Sequence, residues 1–401
     1  VNIGAKQFNI DRNTGIITCI NGTPQDAENL TQCRTELERS LYAFSRIVLG
    51  RDLLTQSLHR PLCEWLTTFP HTRLTLPSHR GMVEPVNATG ITANGSKYRK
   101  LCLYPRDHYK TTIVCQSLPV HILIQSPETN IYLPGRAGPD SHILLACEAQ
   151  QIASKRLVWI ETQFESNTML RQLWPHRLWD NPRRESKKWN ETAMFTRGGS
   201  DKVDSSIEAV GVGGAVTGAH YDILIKDDLV TLEAANSPAV METAKQWHTT
   251  SRALTHDPDK FLEFIIGTRW AVQDLYDDIQ KDSSVEVLIR AIIEDGEIIL
   301  PELFTHETIA RLRKEHGVMF PLLYMNSAAD PELTDFDISL LRHFSVRGDQ
   351  IVFDDDDRDA IITNSLSAPP SVPDVPPGAR LNRETYDMLK ARHEYLRFRV
   401  T

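Results

Sequence analysis

The chain has 401 residues, 41% of them hydrophobic and 24% charged, which is the balance of a folded soluble domain and not of a disordered chain. Its formal net charge of -9 excludes a surface coated in basic residues, so any contact with nucleic acid must be local. No run of about 18 uncharged apolar residues occurs and no basic segment leads into an apolar one at the start, which argues against a membrane span and a secretory signal.

Polar turns such as Asn21-Gly22 lead into a predicted helix over Gln25–Ile47, where Leu37, Leu41, Phe44 and Val48 recur at helical spacing. A second helix is predicted over His59–Leu66. Residues 78–98 are rich in Gly, Asn, Ser and Thr and read as a loop or hairpin. Short apolar runs then suggest strands at Leu101–Tyr104, Ile143–Cys147, Ile223–Ile225 and Phe261–Ile266, with a long helix over Ala149–Phe164. Strands alternating with helices favour a mostly parallel sheet covered on both faces. Between them, Trp174, Trp179 and Trp189 lie among basic residues, including the cluster Arg183, Arg184, Lys187 and Lys188. That cluster reads equally as a phosphate-backbone contact or a solvated face.

Farther on, Val285–Ile293 and Ile298–Leu300 read as strands around the turn Glu294-Asp295-Gly296, and Thr305 caps a helix running to Glu315. Asp354–Asp357 is an acidic run and Ala368–Pro377 a proline-rich linker. Glu394–Val400 reads as the opening of another strand. The six cysteines form no CxxC pair, and four lie in apolar stretches, as buried reduced thiols do.

Three strand ends carry candidate chemistry. The first, Pro105-Arg106-Asp107-His108-Tyr109-Lys110-Thr111, follows a strand and precedes an apolar segment. A loop there would present Lys110, a point charge for phosphates, and hydroxyls at Thr111 and Thr112 at the amide-rich start of a helix. Neither glycine of the standard phosphate loop is present. The second is Ile223–Asp228, an apolar strand ending in two carboxylates. Asp227 suits Mg²⁺ and Asp228 suits orientation of an attacking water. The third is Ile265-Ile266-Gly267-Thr268-Arg269-Trp270, which ends in polar residues at the same predicted sheet edge. Each alone reads also as an ordinary strand-end turn. The glycine-dense Gly211–Gly218 reads as a substrate or interface loop, or as a turn needing positive φ. Arg197 is a candidate cation for a nucleotide, or an exposed arginine at a glycine turn.

Taken in order, these motifs resemble the ATPase part of the large terminase subunit of tailed bacteriophages, the motor that packages DNA. The resemblance rests on Pro105-Arg106 before Lys110 and Thr111, on Ile223–Asp228, and on Gly267-Thr268-Arg269-Trp270 followed by Asp274-Leu275. Leu58–Cys63 is similar to the helix before the ATPase sheet, and Pro301-Glu302-Leu303 through Tyr324 to the segment leading into the linker subdomain. The likeness runs over about residues 40–340.

It implies an α/β P-loop NTPase of the ASCE-like class, with a central mostly parallel sheet, a helical N-terminal extension and a C-terminal linker subdomain. The implied divisions are 1–98 for the extension, 99–300 for the ATPase core, 301–367 for the linker or lid, and 368–401 for the proline-rich linker and the start of a nuclease domain. It implies ATP and Mg²⁺, with Arg106, Asp107, His108, Tyr109, Lys110, Thr111 and Thr112 around the nucleotide. Thr111 and Asp227 would hold the metal, and Lys110, Asp228, Thr268, Arg269 and Arg197 would act in catalysis or coupling. His220 occupies the neighbourhood where the family often carries a trans-acting arginine, which leaves that role to Arg197 or to another arginine. The implied partners are double-stranded DNA, a portal protein, the small terminase subunit and further copies in a ring, a pentamer by resemblance. No membrane is implied, and the implied location is the host cytoplasm, docked on a procapsid. The family's nuclease centre is expected to lie beyond this chain. Other readings of the motifs are a helicase-like remodeller and a catalytically weak nucleotide-binding assembly protein.

Overall fold

A strand buried on both faces needs apolar residues at successive positions, not at alternate ones. Such runs form the centre of an eight-stranded sheet in the computed structural model. Its strands are β1 Arg99–Leu103, β2 Ile143–Cys147, β3 Trp189–Asn190, β4 Ala193–Met194, β5 Ile207–Gly211, β6 Ile223–Asp227, β7 Leu262–Ile266 and β8 Val285–Ile289. The structure describes residues 2–3, 6–10, 17–19, 27–72, 97–200, 203–214, 220–327, 344–347 and 350–353.

The strand order is β8-β1-β7-β6-β2-β5-β4-β3. The six strands from β8 to β5 are parallel, and β4 and β3 continue the sheet antiparallel. The fold is thus α/β with a mostly parallel central sheet, as the sequence suggests. Parallel pairing puts all six carboxyl ends on one edge. Register does the rest: Asp227 pairs with Ile266 and with Cys147, and Ile266 pairs with Cys102. The ends of β1, β7, β6 and β2 therefore lie side by side, with β7 standing between the strands of Lys110 and Asp227.

One sheet face packs Leu101, Leu103, Leu144, Ala146, Leu224 and Ile265 against Met241 and Trp247 of the helix Pro238–Arg252 and Leu275, Tyr276 and Ile279 of the helix Leu275–Gln280. The helices used below are α1 Ala27–Arg39, α2 Leu41–Ile47, α3 His59–Leu66, α4 Leu118–Leu123, α5 Gln150–Ser166, α6 Thr168–Leu173, α7 Pro238–Arg252, α8 Leu275–Gln280 and α9 His306–His316. The helical lead-in is tied to the core by polar contacts. His121 Nε2 lies 2.9 Å from the Leu37 carbonyl, Gln125 donates to the Glu38 carbonyl at 2.8 Å, and Trp174 Nε1 donates to the Glu38 carboxylate at 2.8 Å.

Several boundaries differ from expectation. The predicted helix over Gln25–Ile47 is two helices, because Ser40 is extended and its side chain caps α2 by accepting from Ala43 N at 3.2 Å. The strand expected over Val285–Ile293 stops at Ile289. Beyond it, Arg290 turns back onto Glu294 at 2.8 Å and Ile293–Glu294 pairs instead with Glu297–Ile298. Strand β5 is an addition: its alternating burial and its Glu208 and Gly211 dilute the apolar signal. Helix α9 begins after Thr305, whose hydroxyl accepts from Thr308 N as expected of a cap.

The chain divides into two compact units, Val1–Ala328 and Ala329–Thr401. In the first, Asn2–Ile3, Lys6–Ile10 and Ile17–Cys19 form a separate antiparallel sheet. In the second, Phe344–Arg347 pairs with Gln350–Phe353. Asn21-Gly22, most of the 78–98 loop, residues 215–219 of the glycine-dense stretch, Asp354–Asp357, Ala368–Pro377 and Glu394–Val400 lie outside the described residues. Among the described residues no helix is long and apolar enough to cross a membrane.

Candidate active site

Strand β1 delivers the chain to Tyr104, and Lys110 opens the helical segment that follows. That segment begins as a π-helical turn at Thr112–Ser117 and continues as α4. The six-residue passage between strand and helix is tight. Asp107 and Tyr109 both take the left-handed conformation, with φ of 64° and 58°. This is where the loop departs from the glycine-bearing pattern, and the backbone keeps the glycine-type turn without glycine. Left-handed backbone at non-glycine residues costs on the order of 1–3 kcal/mol each and persists only where surroundings fix it. The side chains supply that fixing. His108 is fully buried, stacks on Phe304 with ring centroids 4.8 Å apart, and its Nδ1 lies 2.7 Å from the Arg106 carbonyl. Tyr109 meets the His59 ring edge-on at 5.6 Å. Arg106 N donates to the Leu323 carbonyl at 3.2 Å, and its guanidinium lies 5.1 Å from the Trp270 ring centre. Asp107 is exposed. Burial holds His108 neutral, with its pKa lowered to about 4.

The other two strand ends converge on this loop. Lys110 is buried, and its Nζ donates to the Tyr104 carbonyl and to Thr268 Oγ1, each at 2.9 Å. Burial pulls its pKa down while Asp228 and Asp227 pull it up. Thr111 Oγ1 donates to Asp227 Oδ1 at 3.2 Å. Asp227 is buried, and its pKa is raised to about 7, first by burial and then by the charge of Asp228. Asp228 has a φ of 45°, donates its N–H to the Ile266 carbonyl at 3.0 Å, and has a buried Oδ1 with no hydrogen-bond partner. So Lys110, Thr111, the acidic pair and Thr268 form one cluster. Thr112 opens the π-helical turn beside it.

The third strand end is built by exclusion. A Cβ on Gly267 would lie 2.0 Å from Tyr276 Cζ, so only glycine fits beside that buried ring. Arg269 is buried and folds onto its own loop, donating to the Val272 carbonyl at 2.6 Å and lying 3.5 Å from Asp274 Oδ2. Asp274 in turn caps α8 by accepting from Asp277 N at 3.0 Å.

Two residues join the cluster that their own sequence neighbourhoods do not announce. Arg156, on α5, places Nε 3.5 Å from Asp227 Oδ2. Glu148 directly follows β2, and the Cys147–Asp227 register sets it beside Asp228. Its pKa is raised by burial, then by Asp228 and Glu233. Both meetings depend on β2 neighbouring β6, a pairing that no local motif encodes.

Arg197 stands apart. Strand β4 runs antiparallel, and Met194 pairs with Ile207, the first residue of β5. Arg197 therefore emerges at the amino edge of the parallel strands, opposite Lys110. There it is exposed, 5.9 Å from the Trp179 ring centre, and donates to the Leu178 carbonyl at 3.2 Å. Within one chain it does not meet the cluster. Arg183, Arg184, Lys187 and Lys188 are exposed around the same antiparallel end of the sheet. Of the glycine-dense stretch, Gly211 ends β5 where a Cβ would lie 2.4 Å from Gln150 N, and Gly213 has a φ of 81°.

The donor set suits a hard divalent cation. A hydroxyl and two carboxylates converge, one carboxylate oxygen is buried without a partner, and the Cys115 thiol that bonds Asp227 is kept protonated by burial. Thr111 and Asp227 are the residues that would hold Mg²⁺, with the unpartnered carboxylate oxygen of Asp228 beside them.

No protein-family model and no curated protein sequence matches the chain. In structure it is similar to the HK97 bacteriophage large terminase, at 16% identity over 57% of this chain and 47% of that one, with a TM-score of 0.36. This chain thus spans about half the length of that protein. It is likewise similar to a mutant of the ATPase domain of the Thermus phage P74-26 large terminase, at 14% identity over 58% of this chain and 89% of that one, with a TM-score of 0.36.

Proposed function

We propose that the chain hydrolyses ATP at the carboxyl edge of its sheet and uses the energy to drive double-stranded DNA into a viral procapsid, as the ATPase part of a terminase large subunit. The observation that carries the ATPase reading is the convergence of three strand ends: Lys110 bonded to Thr268, and Thr111 bonded to Asp227. The packaging reading rests on the order and composition of the motifs.

The roles follow from position. Lys110 offers its ammonium to the terminal phosphates, and the amides opening its helix add a second cationic surface. Thr111 and Asp227 would hold the cation. Bound Mg²⁺ would neutralise charge on the β- and γ-phosphates. Asp228 and Glu148 together present carboxylate to the attacking water, and Arg156 restrains Asp227. Thr268, bonded to Lys110, senses whether that lysine is engaged by phosphate, and Arg269 carries this through Asp274 to α8. The net charge of -9 confines DNA contact to a local basic surface. Arg197, remote from its own site, is available to a neighbouring copy in a ring. Portal protein and small terminase subunit are the remaining partners of this reading, at a procapsid in the host cytoplasm.

Magnesium-dependent phosphate release by the full chain, with and without DNA, tests the enzymatic part. Binding to a portal ring separates a packaging motor from a helicase-like remodeller with the same three strand ends.

A further inference from the structure

At the sheet edge opposite Lys110, the amino ends of four adjacent strands bring metal-binding side chains together. Asp204 precedes β5, His142 precedes β2, His220 and Asp222 precede β6, and His256 lies on the approach to β7. His142 Nδ1 lies 3.4 Å from His256 Nε2, 3.7 Å from Asp204 Oδ2 and 3.1 Å from the His220 carbonyl. Ligand atoms of His142, Asp222 and His256 all lie within 4.8 Å of one another. The His220 and His256 ring centroids are 5.5 Å apart.

We propose that this cluster is a transition-metal site of the zinc class, with His142 Nδ1, His256 Nε2 and a carboxylate of Asp222 or Asp204 as ligands. Three arguments support it. Two nitrogens each about 2.0–2.1 Å from a tetrahedral zinc stand about 3.3 Å apart, which is the spacing found for His142 and His256. Next, three electron-rich atoms surround His142 Nδ1. One proton there can serve only one of them, whereas a cation serves several at once. Lastly, the ligands are held before any ion arrives. His142 N donates to Asp222 Oδ2 at 3.0 Å, Arg136 grips Asp222 with two bonds of 2.7 and 2.9 Å, and His256 N donates to the Tyr221 carbonyl at 3.0 Å. His142 and Asp222 are buried while His256 is exposed, so the site is anchored below and open above. Imidazole with carboxylate selects zinc, cobalt or nickel over magnesium. The bound ion would clamp the starts of β2, β7 and one of β6 or β5, at the end of the sheet remote from ATP.

The test uses the full chain stripped with chelator, then kept in excess Mg²⁺ to fill the carboxylates near Lys110. Zn²⁺ is titrated calorimetrically, and Co²⁺ is followed by its visible spectrum. The expected result is one saturable equivalent and a tetrahedral cobalt spectrum without thiolate charge transfer. Exposed His256→Ala should weaken binding more than tenfold, and Lys110→Ala should leave it unchanged. Absence of saturable Zn²⁺ binding, or equal affinity in folded His256→Ala, would overturn the site. Loss of binding in Lys110→Ala would assign the metal to the other edge and overturn it as well. Since Lys110→Ala is the variant that disables the proposed ATP site, the two readings fail separately.

Discussion

At the residue scale, the phosphate loop solves a backbone problem with packing where a standard loop uses glycine. Asp107 is exposed and left-handed, so its Cβ brings strain without burial in return. Asp107→Gly should therefore raise stability by about 1 kcal/mol, read as a higher urea midpoint. Tyr109 differs, because its ring packs on His59. The acidic cluster gives a sharper prediction. Asp228 is one methylene shorter than glutamate, and Glu148 stands beside it from the next strand. If the two share the water-orienting role, Glu148→Gln should lower kcat about 100-fold with little change in nucleotide binding, as Asp228→Asn should. Equal kcat in Glu148→Gln and the unaltered chain would assign the role to Asp228 alone. Lys110, Thr111 and Asp227 were legible in the sequence because each is the right residue type at a strand end. Glu148 and Arg156 were not, since their meeting with the acidic pair depends on strand order.

At the element scale, four central strands were legible because burial on both faces demands an unbroken apolar run. Strand β5 was not, because only one of its faces is fully buried. The break at Ser40 was hidden by an apolar spacing that runs through it. One feature of the central strands is unexpected for such runs. Glu263, fully buried on β7, accepts from Lys226 Nζ of β6 at 2.6 Å and from Arg99 Nε of β1 at 2.7 Å. Burial pushes the Glu263 carboxyl up, but Lys226, His248 and Arg99 outweigh it and hold the pKa at about 2. The depressed value means that this charge stabilises the fold above its unfolded pKa of about 4.3. That contribution is lost as pH falls toward 2. Glu263→Gln should destabilise the fold by roughly 3–5 kcal/mol at neutral pH, because it strands buried cations. It should also flatten the loss of stability between pH 4 and 2, which is about the window this carboxylate controls. Urea unfolding of both chains across that range measures both effects.

At the scale of the whole molecule, the sheet presents two chemically different edges. The carboxyl edge gathers Lys110, Thr111, Asp227, Asp228 and Thr268, and the amino edge gathers three histidines and two aspartates. Arg197 belongs to the amino-edge side, which makes its effect on hydrolysis depend on assembly. In the ring reading, Arg197→Ala should leave the basal rate of dilute monomer unchanged and lower the rate of assembled rings by more than about tenfold. Equal losses in both states would contradict a role in trans. The central claim is that the three converging strand ends are an ATP-hydrolysing site. The most direct measurement is steady-state phosphate release from ATP and Mg²⁺ by the full chain and by Lys110→Ala, at a concentration where the chain assembles. The account predicts magnesium-dependent turnover that falls by at least about 100-fold in the variant while the fold is retained. Undiminished magnesium-dependent turnover in folded Lys110→Ala would contradict it.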